Sequence, residues 1–332
     1  MAHEARRHHY IPQCYLRGFA LGSGKQCRLQ VASLDRHEFF ETHPKNVAHV
    51  RDFNRIEVEG LKPDVLEGAL SVLEGEVAET IRNISESHKF EGNDKNCILN
   101  LISLLAVRSP QMREHWRQFE EQVMKQIMGL ALATKERWES QLRQMKKDGV
   151  KVNEDITYEQ MKEFFDRGEY DIVLNNEHHI GLEFKGQDAV LQALGRRKWK
   201  LYISNDETGC FITGDRPVVL TWNKPNEIPV MMRRSPGYGM TETEVYFPLT
   251  KHLALLGTFE GEDIVEDAKI YTVALANLRI IEYGFNQVYA PKRSFPYIAP
   301  DLKFYHDRHF MERFKAFHDA TQKEHPEGAQ SA

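Results

Sequence analysis

The chain has 332 residues, 41% of them hydrophobic, and a formal net charge of -5. That is ample for a buried core, in one large domain or two smaller ones. The charge balance gives no global case for nucleic-acid binding and leaves only local basic patches for that role.

The opening "RRHHYIPQCYLRGFA" predicts a short helix after Pro12, with Tyr15, Leu16 and Phe19 on one face. "QCRLQVASL" and "HEFFETH" read as two strands joined at Asp35-Arg36, and "HPKNVAHVRDFN" as a connecting loop. A helical block starts near Lys62, where Val65, Leu66, Ala69, Leu70, Leu73, Val77, Ile81 and Ile84 recur at helical spacing. "NCILNLISLLAV" is apolar nearly all round and predicts a buried helix. Pro110 begins a long amphipathic helix with its stripe at Met112, Trp116, Phe119, Val123, Ile127 and Leu130. Trp138, Leu142 and Met145 extend that stripe, and Gly149 suits a left-handed stop. The stripe fits either a dimer contact or the chain's own core. "YEQMKEFFDRG" reads as a shorter helix.

From Trp199 strands dominate. "WKLYISND" and "GCFITGD" predict a hairpin across "DETG", and "PVVLTW", "EVYFPL" and "HLALLGTF" add strands. "EDAKIYTVALANLRIIEYGF" predicts a helix, and "HDRHFMERFKAF" a weak terminal one. The expected fold class is α+β, a mostly helical middle packed on a mixed or antiparallel sheet built from N-terminal and C-terminal strands. The N-terminal strand pair is too small to stand alone. One discontinuous domain over 1–315 is therefore expected, with a helical block about 62–197, a strand-rich part about 198–298, and a disordered tail at 316–332.

Compartment follows from what the chain lacks. The opening residues have no apolar secretory core, and "IMGLALA" is far too short to span a membrane. Cys14, Cys27, Cys97 and Cys210 are scattered without a Cys-x-x-Cys. They read as reduced thiols in a cytoplasmic protein and argue against a cysteine zinc site.

Chemistry-bearing residues concentrate at the start. An imidazole titrates near neutral pH, so His8 or His9 suits acid, base or ligand roles, and Arg17 could clamp a phosphate or carboxylate. The alternative is packing, with His9 and Tyr10 as a staple before the helix. "HHYIPQCYLRGF" resembles the opening signature of a bacterial family catalogued as domain of unknown function 4238. "AVRSPQMR" with Arg108, Pro110 and Arg113, "FITGDRPVVL" with Asp215 and Pro217, and "YFPLT" with Pro248 resemble later stretches of that family. Gly214 and Arg216 depart from its usual neighbours of the aspartate. The resemblance carries no activity. It does imply a shared site.

In that site His8, His9 and Asp215 would be catalytic, with Arg17, Arg108 and Tyr10 binding substrate. Such residues suit phosphoester hydrolysis, a nuclease included, with histidine moving protons and arginine holding phosphoryl oxygens. Asp215 would orient the histidine or hold a divalent metal, the one cofactor this chemistry suggests. The partner would be nucleic acid or a phosphorylated ligand, with no membrane; the residues leave oligomeric state open. In the alternative function, a non-catalytic binding or regulatory protein, Arg108 and Asp215 are structural.

Other stretches compete. Asp171, Glu183 and Lys185 in "DIVLNNEHHIGLEFKG" match a restriction-nuclease core if the segment is a strand, and lose that match if it is a helix. His178-His179 reads as a segment start. His306-x-x-His309 has helical ligand spacing without a third ligand and reads as a solvated helix. "VMMRRSPGYGMTETE" reads as a mobile loop in which Arg233, Arg234 and Tyr238 could touch nucleic acid. Phosphate-loop and nucleophile-elbow motifs are absent.

Overall fold

The computed structural model describes residues 6–324 except Ser23, Glu154 and Ser235. Of the expected tail, residues 325–332 lie outside the described residues, while a helix runs through Glu324. Two compact units divide the chain: Met1–Ser109 with Ile180–Ala332, and Pro110–His179.

The first unit opens with β1 (Arg7–His9) and α1 (Gln13–Arg17). Pro12 sets the entry to α1, and its apolar face drives Tyr15, Leu16 and Phe19 to zero exposure. Burying three such side chains contributes about 2 kcal/mol each. β2 (Leu29–Ser33) and β3 (Glu38–Thr42) form the expected antiparallel pair. β4 (His49–Arg51) pairs with β1, His8 opposite Val50 and His9 opposite His49. α2 (Val65–Ser87) buries Val77, Ile81 and Ile84, and ends where His88 turns left-handed and donates to the Ile84 carbonyl. α3 (Gly92–Val107) buries Ile98, Leu99, Leu101, Ile102, Leu104 and Leu105, as its apolar run predicts.

The second unit is helical: α4 (Pro110–Ala131), α5 (Lys135–Lys147) and α6 (Tyr158–Arg167). Thr134 caps α5, and a reciprocal Thr157–Gln160 capping box starts α6. The Tyr158 hydroxyl donates to the Leu132 carbonyl. Along α4, Trp116, Phe119, Ile127 and Leu130 stay exposed, so the stripe is not buried in the chain's own core. α7 (Asn176–Gly195) begins at the end of this unit and continues into the first.

The rest of the first unit is sheet. β5 (Lys198–Ile203), β6 (Thr213–Gly214), β7 (Val219–Trp222), β8 (Thr243–Thr250), β9 (Leu253–Thr258) and β10 (Ile264–Asp267) come first. α8 (Ile270–Tyr283), β11 (Gln287–Ala290), β12 (Phe295–Ile298), β13 (Phe304–Asp307) and α9 (Phe310–Glu324) follow. A five-stranded sheet runs β10-β5-β9-β8-β7, antiparallel except for β10–β5; a four-stranded one runs β3-β2-β11-β6. The N-terminal strands thus join the later chain, and the fold is α+β.

The expected hairpin across "DETG" does not form. β5 is an inner strand between β9 and β10, whereas β6 pairs with β11 in the other sheet. The Asn205 side chain accepts the Glu207 and Thr208 amides in a local turn, and the Phe211 amide donates to Lys251, which carries the chain away. β9 admits Trp199 only because Gly257 has no Cβ, which would sit 2.8 Å from the indole. Buried Arg197 ties the sheet to the loop before β8, donating to the Thr243 and Tyr238 carbonyls at 2.7 and 2.8 Å. Tyr238 packs against the core rather than presenting its ring to a base. Among the described residues no helix is long and apolar enough to cross a membrane.

Candidate functional site

The opening motif is where the resemblance stretches meet. The Tyr15 hydroxyl donates to the Pro248 carbonyl at 2.7 Å and lies 2.8 Å from the Thr213 hydroxyl. Its ring stacks on Phe247 at 5.1 Å. The Lys251 amide donates to the Gly18 carbonyl at 3.0 Å. Arg108 donates to the His9 carbonyl at 3.4 Å. "YFPLT", "FITGD" and "AVRSP" therefore each touch "HHYIPQCYLRGF" directly.

A polar cluster is built around Asn54, which is fully buried after Phe53. Its backbone amide donates to His8 Nδ1 at 2.8 Å. Its side-chain amide donates to Glu67 and accepts from Arg108 in short bonds. The two side-chain bonds hold the Asn54 amide group from both ends and fix its orientation. His8 Nδ1 is an acceptor here, so the neutral ring carries its proton on Nε2; Glu67 lies 3.7 Å from Nδ1. The buried Arg108 guanidinium stands over the Phe53 ring at 5.6 Å.

Glu67 and Glu74 are seven residues apart on α2 and share a face, about 10 Å apart along the axis. Burial and then the Glu67 charge raise the Glu74 carboxyl above its usual range, while Arg108 and Arg17 oppose the rise. Arg17, exposed on the last turn of α1, also lies within the field of Cys14. Burial first, then Glu74, pushes the Cys14 thiol up to about 12, so it is no nucleophile at neutral pH.

The expected catalytic residues do not all join this cluster. β1 alternates, so His8 faces Asn54 and His9 faces the other way, its ring edge-on to His49 at 5.5 Å. Burial, then His49, lowers His9 to about 4 against the backbone of Val47 and Ala48. His9 is therefore neutral near pH 7. Asp215, buried at the end of β6, accepts three backbone amides: Phe285 at 2.9, Asn286 at 2.7 and Gln287 at 3.0 Å. It pins the start of β11 to β6, and neither histidine is among its hydrogen-bond partners. Burial outweighs those three bonds and Arg216, and raises its carboxyl above the ordinary range. Tyr10 packs on Phe53 at 6.2 Å; burial, then Asp215, raises its phenol.

The chain matches the model of a family described as "Protein of unknown function (DUF4238)" over residues 7–310. It belongs to this family. Searches of curated proteins and of solved structures returned no match. For this DUF4238 member, the contacts at Tyr15 and Asn54 explain why stretches far apart in sequence go together.

One open reading is decided and one expectation is corrected. "NNEHHIGLEFKG" is the helix α7, so Glu183 and Lys185, two positions apart, point to diverging sides instead of one ion. His178 bonds Glu120 at 2.9 Å. His306 lies on β13 opposite Pro296, and only His309 adjoins the terminal helix, its Nδ1 2.6 Å from Glu312. Among the described residues no three His, Cys, Asp or Glu side chains are grouped to hold a metal ion. Sequence reasoning missed Asn54, Glu67 and Glu74. The paired glutamates were detectable as acids at i and i+7 beside the α2 stripe; Asn54, in a loop, gives no periodic signal.

Proposed function

We propose that the chain is a phosphoester hydrolase whose acid–base pair is Glu67 and Glu74. The observation that carries this reading is two carboxylates on one helix face, in unlike environments, with Arg17 and Arg108 close enough to act on Glu74. A carboxyl raised by burial keeps its proton more readily, which suits Glu74 to the acid role. Glu67, held by Asn54, takes a proton from water, and the hydroxide attacks phosphorus. The bond from phosphorus to the leaving oxygen breaks, and that oxygen takes the proton of Glu74. Phosphate and alcohol are released, and the proton returns from Glu67 to Glu74 through solvent. Exposed Arg17 holds phosphoryl oxygens, and Arg108 fixes Asn54 and supplies field. His8 contributes an orienting Nε2–H, because its Nδ1 accepts the Asn54 amide. The four free cysteines support a reducing, cytoplasmic setting.

The test is turnover of bis(p-nitrophenyl) phosphate, p-nitrophenyl phosphate, single- and double-stranded DNA, and RNA, each with and without Mg²⁺ or Mn²⁺. Hydrolysis of an ester, lost in Glu74→Gln, is expected. Cleavage of the nucleic acids would narrow the reading to a nuclease.

A second reading rests on the convergence of His8, Glu67 and Arg108 on Asn54: a non-catalytic binding protein in which they only join β1, α2 and α3. It is favoured if no ester is cleaved and all three residues prove necessary for folding.

A further inference from the structure

A second polar region lies where three turns of the sheet part and the strand β13 come together. Its cavity of about 200 Å³ is lined by Asp206, Lys251, His252, Lys292, Ser294 and His306. Lys251 and His252 form the tight turn from β8 to β9. The Thr250 hydroxyl accepts the His252 and Leu253 amides at 3.2 and 3.1 Å, which locks that turn. The Lys251 amide donates to Gly18 and its carbonyl accepts from Phe211, so the root of the side chain is held from both sides. Lys292 and Ser294 come from the β11–β12 turn, His306 from β13 and Asp206 from the turn after β5. Gly209 closes the wall. Its φ of +86° and its missing Cβ let Pro296 occupy the space a side chain would need, with His306 Cε1 3.6 Å from that point.

This wall has been given cations without counterions. Neither the Lys251 nor the Lys292 ammonium has a carboxylate within ion-pair distance among the described residues. His252 Nδ1 is buried with no hydrogen-bond partner among them. Burial, then Lys251, lowers the His252 imidazole, with Lys292 adding to the effect and Asp206 opposing it. Burial pushes the Cys210 thiol up to about 11, so it offers no thiolate to compete for the cations. Two ammonium groups face one carboxylate in this recess. What is missing is a compact anion with several acceptor oxygens.

We propose that this pocket binds a phosphate group, as free inorganic phosphate or as the head of a small phosphomonoester. Lys251 and Lys292 donate to its oxygens, the Ser294 hydroxyl and the imidazoles of His252 and His306 complete the shell, and Asp206 limits the net charge. The site lies on the sheet turns and does not rest on the hydrolase reading.

The full chain is titrated with inorganic phosphate and, separately, with glycerol 3-phosphate, by calorimetry and by NMR of the His252 ring. Saturable binding of either compound, with the His252 pKa moving up as the anion occupies the pocket, is expected. The ligand that binds more tightly names the source of the group. The Lys251→Ala/Lys292→Ala double variant is expected to lose roughly a hundredfold in affinity, about tenfold per charge-assisted contact removed. Its unliganded melting temperature should hold, because no native partner is orphaned. The response of the His252 ring, which lines this pocket, and retained binding in Arg17→Ala separate this site from the hydrolase site. No saturable binding of either compound, or equal binding by the double variant, would overturn the proposal.

Discussion

The Asn54 cluster and the Lys251 pocket are both polar, both built from distant segments, and opposite in how their charges are met. Around Asn54, His8, Glu67 and Arg108 each reach the same buried residue. Around Lys251, the backbone is locked and the charged side chains are left to solvent. The first arrangement fixes the orientation of its polar groups, because an orphaned buried partner carries a desolvation penalty. The second keeps fixed roots and open donors, which is what recognition of an outside anion needs.

Substitutions should separate the two kinds of region. The largest expected effect is at Asp215: Asp215→Ala leaves three amides without an acceptor and should cost about 4 kcal/mol. Urea unfolding measures it, and a loss under about 1 kcal/mol would show that water takes over those amides. Asn54→Ala should follow at about 3 kcal/mol, since it removes two side-chain bonds and leaves Arg108 under-satisfied. At His9 the expected effect depends on pH. The folded-state pKa is lowered to about 4 from 6.5, so the unfolded chain binds more protons between those values. The stability contributed by neutral His9 is therefore complete above about pH 6.5 and is lost as pH falls toward 4. His9→Phe should flatten that part of the curve of unfolding free energy against pH; an unchanged slope would place the acid sensitivity elsewhere. The smallest effect is Lys292→Ala, expected within about 0.5 kcal/mol of the unmodified chain, as for an exposed side chain with no partner.

Much of the fold was legible because apolar period carries it. The α2 and α3 stripes, the Tyr15–Leu16–Phe19 face and the β2–β3 pair follow from spacing. The small size of that pair correctly implied that it needs other strands, and β11 supplies one. Partner choice was not legible. Nothing local tells β5 to take β9 and β10 instead of the strand next in sequence, since that is decided by long-range burial. His306 reads as helical beside "FMERF", yet pairing with β12 holds it in a strand. At the site, the opening motif and Arg108 were identifiable as residues that go together. Their roles were not, because an aspartate anchoring amides and an aspartate orienting a histidine look alike in sequence. Asp215 is the instance: its neighbours Phe285, Asn286 and Gln287 are seventy residues or more away in the chain.

The most direct measurement is the rate of bis(p-nitrophenyl) phosphate hydrolysis by the full chain and by Glu74→Gln, alongside their melting temperatures. Measurable turnover, reduced at least about a hundredfold in Glu74→Gln with the melting temperature held, is the expected result. Turnover unchanged by Glu74→Gln, or no turnover by the unmodified chain with or without Mg²⁺ or Mn²⁺, would contradict the assignment of Glu67 and Glu74 as the acid–base pair.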